Sequence, residues 1–124
     1  MIVNDNPDTT NGLQELFESH GLQVTTVDNS RKCLLELEKG FQGIIILDLK
    51  VPSLDGVETI KKMRIDGFID QNTIIMITSE HIQGEEFNEI YHYIYDIIIK
   101  PFDNNAVLNT IKKITQRSPP NKRL

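Results

Sequence analysis

The chain has 124 residues, of which 39% are hydrophobic and 25% charged, and its formal net charge is −5. These values are typical of one soluble globular domain, and the negative charge argues against direct nucleic-acid contact, which needs a basic face. The single cysteine, Cys33, cannot form an internal disulfide, which favours a reducing, cytoplasmic compartment. No apolar run approaches the ~20 residues of a membrane span.

Short apolar runs rich in β-branched residues alternate along the chain with segments whose apolar residues recur at helical spacing. The run that ends at Asp48 is nearly unbroken, which predicts a strand buried on both faces, as in a parallel sheet. In chain order, the expected strands are residues 1–3, 23–27, 43–48, 73–77 and 96–99.

Short polar residues and glycines mark the expected helix boundaries. We expect Asp8 or Thr9 to cap the first helix and Asn29 or Ser30 to cap the second. Beyond the last helix, the paired prolines of residues 118–124 predict a tail or the start of a linker, after a domain over residues 1–117. The other three helices are expected around Val57, Ile60 and Met63, around Phe87, Ile90, Tyr91 and Ile94, and, after the cap Asp103, around Val107, Leu108, Ile111 and Ile114.

Strict alternation of strands and helices predicts an α/β fold, a parallel sheet with helices on both faces. Polar residues follow four of the five apolar runs. Because the carboxyl ends of parallel strands lie at one edge of the sheet, we expect these residues to converge on one site. They are Asn4 and Asp5, Asp48, Thr78 and Ser79, and Lys100.

The residue types at this edge indicate phosphoryl chemistry. Two neighbouring carboxylates, Asp5 and Asp48, favour a hard cation with oxygen ligands, most plausibly Mg²⁺. A carboxylate can also attack a phosphoryl group and form an aspartyl phosphate. Lys100 and the Thr78 hydroxyl could then bind the equatorial oxygens of the transferred group.

The sequence resembles the receiver domain of two-component response regulators, the CheY-like family, over residues 1 to about 116. The resemblance implies a doubly wound, flavodoxin-like fold of five strands in the order 2-1-3-4-5 with five helices. The matching stretches are Ile-Val-Asn-Asp-Asn-Pro-Asp at 2–8, Ile-Ile-Leu-Asp-Leu-Lys-Val-Pro-Ser-Leu-Asp-Gly at 45–56, Ile-Met-Ile-Thr-Ser at 75–79 and Lys-Pro-Phe at 100–102.

By resemblance, Asp48 is the phosphoacceptor and also a Mg²⁺ ligand. Asp5 is a direct ligand, and the backbone carbonyl of Lys50 is another. Asn4 stands where the family usually has a second acid. It could still bind the metal through water, but the loss of one negative charge should lower the affinity for Mg²⁺.

The phosphate-binding residues implied by the resemblance are Lys50, Thr78, Ser79 and Lys100. Thr78 matches the hydroxyl that turns toward the phosphoryl group, with the Ser79 backbone N–H beside it. Lys100 matches the lysine of the family site, and its peptide bond to Pro101 is expected to be cis.

Lys50 also matches one of two variable positions that tune dephosphorylation in this family, and Glu80 matches the other. Their opposite charges could pair across the mouth of the site and obstruct an attacking water. This predicts slow self-dephosphorylation.

Ile97 occupies the position of the family's switch aromatic. A ring that swings inward with Thr78 is therefore absent, and Tyr93 or Tyr95 is a candidate replacement on the face formed by the fourth helix, fifth strand and fifth helix. The same face is a candidate surface for a homodimer.

The leading hypothesis is a signalling module that takes a phosphoryl group from a partner histidine kinase or phosphotransfer protein and switches a downstream effector. It would not be an enzyme beyond the modification of its own Asp48. One alternative is a docking module that has lost phosphorylation, favoured by Asn4 and Ile97. Another is an aspartyl phosphatase, which is disfavoured because Lys50 replaces the acid that such hydrolases need two residues after the nucleophile.

Overall fold

The computed structural model describes residues 1–51, 55–79 and 84–117, without the side chains of Glu86 and Arg117. Five parallel strands form one sheet in the order β2-β1-β3-β4-β5, which confirms the expected α/β fold and strand order. The strands are β1 (Ile2–Val3), β2 (Thr26–Val27), β3 (Gly43–Asp48), β4 (Asn72–Thr78) and β5 (Ile94–Ile99), and the helices are α1 (Pro7–Ser19), α2 (Ser30–Glu38), α3 (Gly56–Ile65), α4 (Glu85–Ile90) and α5 (Asn104–Arg117).

Strand β3 is the centre of the sheet, and all six of its residues are buried. Its alternate side chains enter two separate cores, as the pleat of a strand requires. Ile45 and Leu47 belong to a core with residues of α2, α3 and α4, whereas Ile44 and Ile46 belong to a core with residues of α1 and α5. The continuous apolar run is therefore explained by helices on both faces of the sheet.

The described helices form one layer on each face of the sheet, as in other layered α/β domains. Among these residues, no helix is long and apolar enough to cross a membrane. Two short 3₁₀ turns, Ile69–Gln71 and Tyr91–Tyr93, precede β4 and β5.

The expected cap of α1 is wrong by two or three residues. Asn6, rather than Asp8 or Thr9, is the N-cap, and its Oδ1 accepts the backbone N–H groups of both. Pro7 takes the first helical position, where a missing N–H carries no cost. For α2, Asn29 is the cap, as expected, with its Oδ1 accepting from Lys32 N–H at 2.9 Å.

The expected fourth helix is too long. Helix α4 ends at Ile90, residues Tyr91–Tyr93 form a 3₁₀ turn, and Ile94 is already the first residue of β5. The apolar residues at 87, 90, 91 and 94 fit a helical period, but the sheet competes for Ile94. Its pairing with Ile74 of β4 begins the last strand two residues earlier than expected.

Gly56 allows the chain to turn closely after β3. Its N–H donates to the carbonyl of Leu49 at 2.6 Å. A Cβ at this position would lie 2.9 Å from the Leu49 Cα, which is closer than packed atoms approach. A glycine is therefore required at the first residue of α3.

Cys33 lies on the buried face of α2, and no part of it is exposed. Burial raises the pKa of its thiol from the ordinary 9.0 to about 12. We expect the native protein to resist iodoacetamide at pH 8, since the reagent needs an accessible thiolate. Mass spectrometry should detect the adduct only after urea unfolding, with Cys33→Ala as the unlabelled control. Rapid labelling of the folded protein would contradict this packing.

The same pKa shift predicts how stability depends on pH. The unfolded thiol ionises above about pH 9, whereas the folded thiol stays protonated until about pH 12. The contribution of Cys33 to stability is therefore complete below pH 9 and is lost as the pH rises toward 12, by up to ~1.4 kcal/mol per pH unit. Urea midpoints measured from pH 8 to pH 11 should fall less steeply for Cys33→Ala than for the native sequence.

Candidate functional site

A cavity of about 440 Å³ opens at the carboxyl edge of the sheet. It brings together four residues that follow three different strands: Asn4 and Asp5 after β1, Asp48 at the end of β3, and Lys100 after β5. The parallel arrangement of the strands is the cause, because the polar residue at each carboxyl end meets its neighbours at the same edge. The remaining lining residues are Asn6, Thr9, Pro101, Phe102 and Asn104.

Asp48 is the most deeply placed acid of this cavity and is only 4% exposed. Its Oδ2 accepts a hydrogen bond from Lys100 Nζ at 2.7 Å, and its Oδ1 accepts from the backbone N–H of Lys50 at 3.0 Å. A buried carboxylate is costly unless it is paired and hydrogen-bonded. Both of its oxygens have a donor here, so the carboxylate is held in one orientation toward the cavity.

The loop between β1 and α1 is fixed by two asparagines. Asn4 is 4% exposed, and its Oδ1 accepts the Asn6 N–H at 2.9 Å. Asn6 in turn caps α1 with its own side chain. The two side chains therefore connect the end of β1 to the start of the helix. Asp5, the residue between them in the sequence, is exposed and lines the cavity.

Thr78 and Ser79 lie at the end of β4, between the strands that carry Asp48 and Lys100. Thr78 is 2% exposed and its carbonyl accepts the Lys100 N–H at 2.7 Å, whereas Ser79 is exposed. Neither residue lines the cavity. The contact shown between Thr78 and Lys100 is therefore one between backbone groups of neighbouring strand ends.

Lys50 is exposed, and its backbone N–H donates to the Oδ1 of Asp48. Glu80, the expected partner of its side chain, lies outside the described residues. The peptide bond between Lys100 and Pro101 is cis, as the resemblance implied.

Ile97 lies in the middle of β5, is partly buried and packs against the core formed with α2, α3 and α4. The residue at the expected switch position is thus an aliphatic part of the core. Tyr93, a suggested replacement, is partly buried with the Arg64 guanidinium 5.8 Å from its ring centre, and Tyr95 is 43% exposed.

Five lining residues were not predicted from the sequence as site residues: Asn6, Thr9, Pro101, Phe102 and Asn104. The Asn-Pro pair at 6–7 was an available signal, since proline favours the first helical position and asparagine the cap before it. Asn104 is brought in by the contact of α1 with α5, where its Nδ2 lies 3.1 Å from the position of a Cβ on Gly12. No sequence spacing indicates that contact.

The oxygen donors at this edge are compatible with Mg²⁺. The cation prefers hard oxygen ligands and is usually held by one or two carboxylates together with water and phosphate oxygens. Asp5 and Asp48 supply the two carboxylates, and Asn4 adds an amide. Within the described residues there is no cluster of three or more His, Cys, Asp or Glu side chains suited to a metal, so the protein's own ligand set is sparse.

A family model described as the response regulator receiver domain matches residues 1–112. The chain belongs to this family. The receiver domain is 28% identical over 121 residues to the transcriptional regulatory protein CpxR homolog of Haemophilus influenzae, covering 95% of the chain and 50% of that protein. It is 27% identical over 119 residues to sporulation initiation phosphotransferase F of Bacillus subtilis, covering 91% and 90%.

Solved structures agree with this assignment. The receiver domain superimposes on the CheY-like response regulator receiver domain protein of Methanospirillum hungatei JF-1 with a TM-score of 0.86 and 26% identity, covering 94% of this chain and 93% of that chain. The chain spans only half the length of the Haemophilus protein but nearly all of the Bacillus one. The shared unit is therefore the receiver domain alone.

The contact between Lys100 and Asp48 predicts a stability effect in this receiver domain. Lys100→Met leaves the buried carboxylate without its cation and should cost about 1–3 kcal/mol, between the values typical of exposed and buried pairs, because the lysine is 36% exposed. Asp48→Asn in the same chain should recover most of this loss. Urea unfolding of the two single variants and the double variant measures the coupling, and strictly additive effects would contradict it.

Proposed function

We propose that this receiver domain is a phosphorylation-controlled signalling module, in which Asp48 accepts a phosphoryl group from a partner histidine kinase or phosphotransfer protein. One observation carries the proposal. A buried aspartate is held 2.7 Å from a lysine ammonium at an open cavity that also contains Asp5. A domain with a purely structural role has no need of this set at one sheet edge. Membership of the response regulator family supports the same function.

The transfer itself requires little from the protein. One carboxylate oxygen of Asp48 forms a bond to phosphorus while the bond from phosphorus to the donor's imidazole nitrogen breaks, and the imidazole keeps the electron pair and takes up a proton. A carboxylate needs no general base for this attack. Lys100 is in place to neutralise charge on the transferred group, since its Nζ already donates to the Asp48 carboxylate.

The proposed cofactor is Mg²⁺, held by Asp5, Asp48 and the Lys50 backbone carbonyl, with Asn4 acting through a bound water. When bound, the cation would neutralise negative charge on the phosphoryl oxygens. Asn4 leaves the site with one carboxylate fewer than the family usually has. We therefore expect weaker binding of the free cation, with Asp5 retained as the direct ligand.

The proposed output is a change in affinity for a downstream effector protein in the cytoplasm. Thr78 would turn its hydroxyl toward the phosphoryl group, with the Ser79 N–H as a second donor. The Lys100 N–H donates to the Thr78 carbonyl, so movement at either strand end affects the other. The modification would favour one of two nearby states of the domain. The domain would catalyse only its own phosphorylation and dephosphorylation.

A second candidate function is a docking module that works without phosphorylation. Two observations favour it. Position 4 carries an asparagine instead of the acid usual in the family, and its Oδ1 already accepts the Asn6 N–H. Ile97 packs against the core where the family usually has a movable ring. In that case Asp48 and Lys100 would serve only to hold the strand ends together.

Incubation with acetyl phosphate and Mg²⁺ distinguishes the two functions. We expect the intact mass of the native protein to increase by one phosphoryl group, because Asp48 is accessible from the cavity and is next to a cation. Asp48→Asn, which keeps the size of the side chain, should gain nothing. A chelator should also prevent the adduct.

An unmodified native protein at saturating acetyl phosphate, together with no detectable Mg²⁺ binding by calorimetry, would contradict the phosphoacceptor function and favour the docking module. Addition of the same group to Asp48→Asn would place the acceptor elsewhere. Glu18→Gln, an exposed acid on α1, is a matched control for loss of one negative charge.

Lys50 is proposed to slow the loss of the phosphoryl group by obstructing an attacking water at the mouth of the site. Lys50→Ala should therefore shorten the lifetime of the phosphorylated protein by several-fold. The backbone N–H that bonds Asp48 is retained in this variant, so the acceptor stays in place. The lifetime can be followed by intact mass after removal of acetyl phosphate. Rapid loss in the native protein that is unchanged in Lys50→Ala would contradict this role.

A further inference from the structure

A second cavity, of about 420 Å³, lies on β5 and on the 3₁₀ turn that precedes it. It is at the amino end of the strand, whereas the site described above is at the carboxyl edge. Both of its tyrosines are well exposed, Tyr91 by 58% and Tyr95 by 43%. The lining residues, called here the β5 groove, are Tyr91, His92, Ile94, Tyr95, Asp96 and Ile97.

The β5 groove lies within an acidic stretch of the chain. Residues 84–99 contain Glu85, Glu86, Glu89 and Asp96 and neither lysine nor arginine. The cations that reach this stretch come from α3: Lys61 pairs with Glu89 at 3.1 Å, and Arg64 lies over the Tyr93 ring. The region already binds a guanidinium on a tyrosine face, and the groove combines two further tyrosines with a carboxylate.

The backbone at this edge of the sheet is poorly suited to pairing with another strand. Strand β5 is the last strand of the sheet, and its register with β4 is interrupted opposite Ile74 and Ile75, where Tyr95 is the extra residue. The N–H of Ile97 already donates a hydrogen bond to the Asp96 Oδ1 at 2.8 Å. Irregularities and charged side chains of this kind disfavour strand addition. A partner would therefore be bound through side chains.

We propose that the β5 groove binds an arginine side chain of a partner protein. A guanidinium can stack on a tyrosine ring and at the same time pair with a carboxylate, which aliphatic or acidic side chains cannot do. The acidic charge of residues 84–99 favours a basic partner. A second copy of this chain is disfavoured as the occupant, since a two-fold contact of the groove with itself would oppose two acidic stretches.

This inference is independent of the proposed phosphoacceptor function. Asp48 does not line the β5 groove, and no step of the binding requires phosphate. The test therefore uses the complete unphosphorylated chain without Mg²⁺. Failure of either proposal leaves the other to be judged on its own experiment.

The probe is the blocked tripeptide acetyl-Ala-Arg-Ala-amide, titrated into the ¹⁵N-labelled protein, with acetyl-Ala-Gln-Ala-amide as the uncharged match. We expect saturable amide shifts concentrated at residues 91–97 with the arginine peptide only. Asp96→Asn keeps an oxygen for the Ile97 N–H but removes the charge, and Tyr95→Leu keeps apolar bulk but removes the ring. Each should weaken the apparent Kd at least about fivefold.

Glu18→Gln on α1 removes one exposed acid elsewhere and should leave the Kd unchanged. The amide spectrum of each variant checks that the fold is retained. Equal shifts with the glutamine peptide, or an unchanged Kd in a folded Asp96→Asn variant, would overturn the proposal. Shifts at residues 91–97 that depend on protein concentration without peptide would also overturn it, by making a second copy the occupant.

Discussion

The ion pair between Asp48 and Lys100 is the interaction on which the carboxyl edge of this domain depends. It joins residues 52 positions apart, and it exists only when β3, β4 and β5 are aligned in the observed register. A carboxylate that is 4% exposed requires such a partner, because burial of a lone charge costs several kcal/mol. The same pairing places a cation beside the one acid that is best positioned to act as a nucleophile. In the proposed function, the contact that stabilises the fold would also orient the phosphoacceptor.

The elements with the strongest patterns were predicted correctly, and Asn29 caps α2 as expected, but the cap of α1 and the end of α4 were wrong. The apolar run before Asp48 and the polar residues after four strands were sufficient to place Asn4, Asp5 and Lys100 at one cavity. The cap of α1 was indicated by the local Asn-Pro pair at 6–7, whereas the end of α4 depends on competition with β5, which periodicity does not describe. Ile94 fits the helical period of α4 but pairs with Ile74 instead. Tertiary pairing outweighs local propensity at such boundaries.

The two ends of β5 differ in chemical character. At the carboxyl end, Lys100 turns toward a site made of carboxylates. At the amino end, exposed tyrosines and Asp96 form a groove in an acidic stretch. Ile97 lies between them as part of the core, where the family usually has a movable ring. This domain therefore combines a site that keeps Asp5, Asp48 and Lys100 but has Asn4 in place of one acid with an aliphatic residue at the switch position. Under the proposed function, a change at Asp48 would reach the groove through movement of β5, since position 97 carries an aliphatic core residue in place of a ring.

The central claim is that Asp48 is the phosphoacceptor. Its most direct test is to locate the modified residue chemically. The protein is treated with acetyl phosphate and Mg²⁺, any acyl phosphate is reduced with borohydride to the corresponding alcohol, and the digested peptides are sequenced by mass spectrometry. The account predicts homoserine at position 48 and unmodified aspartate at positions 5 and 55. Homoserine at Asp5 or Asp55, with position 48 unchanged, would contradict it.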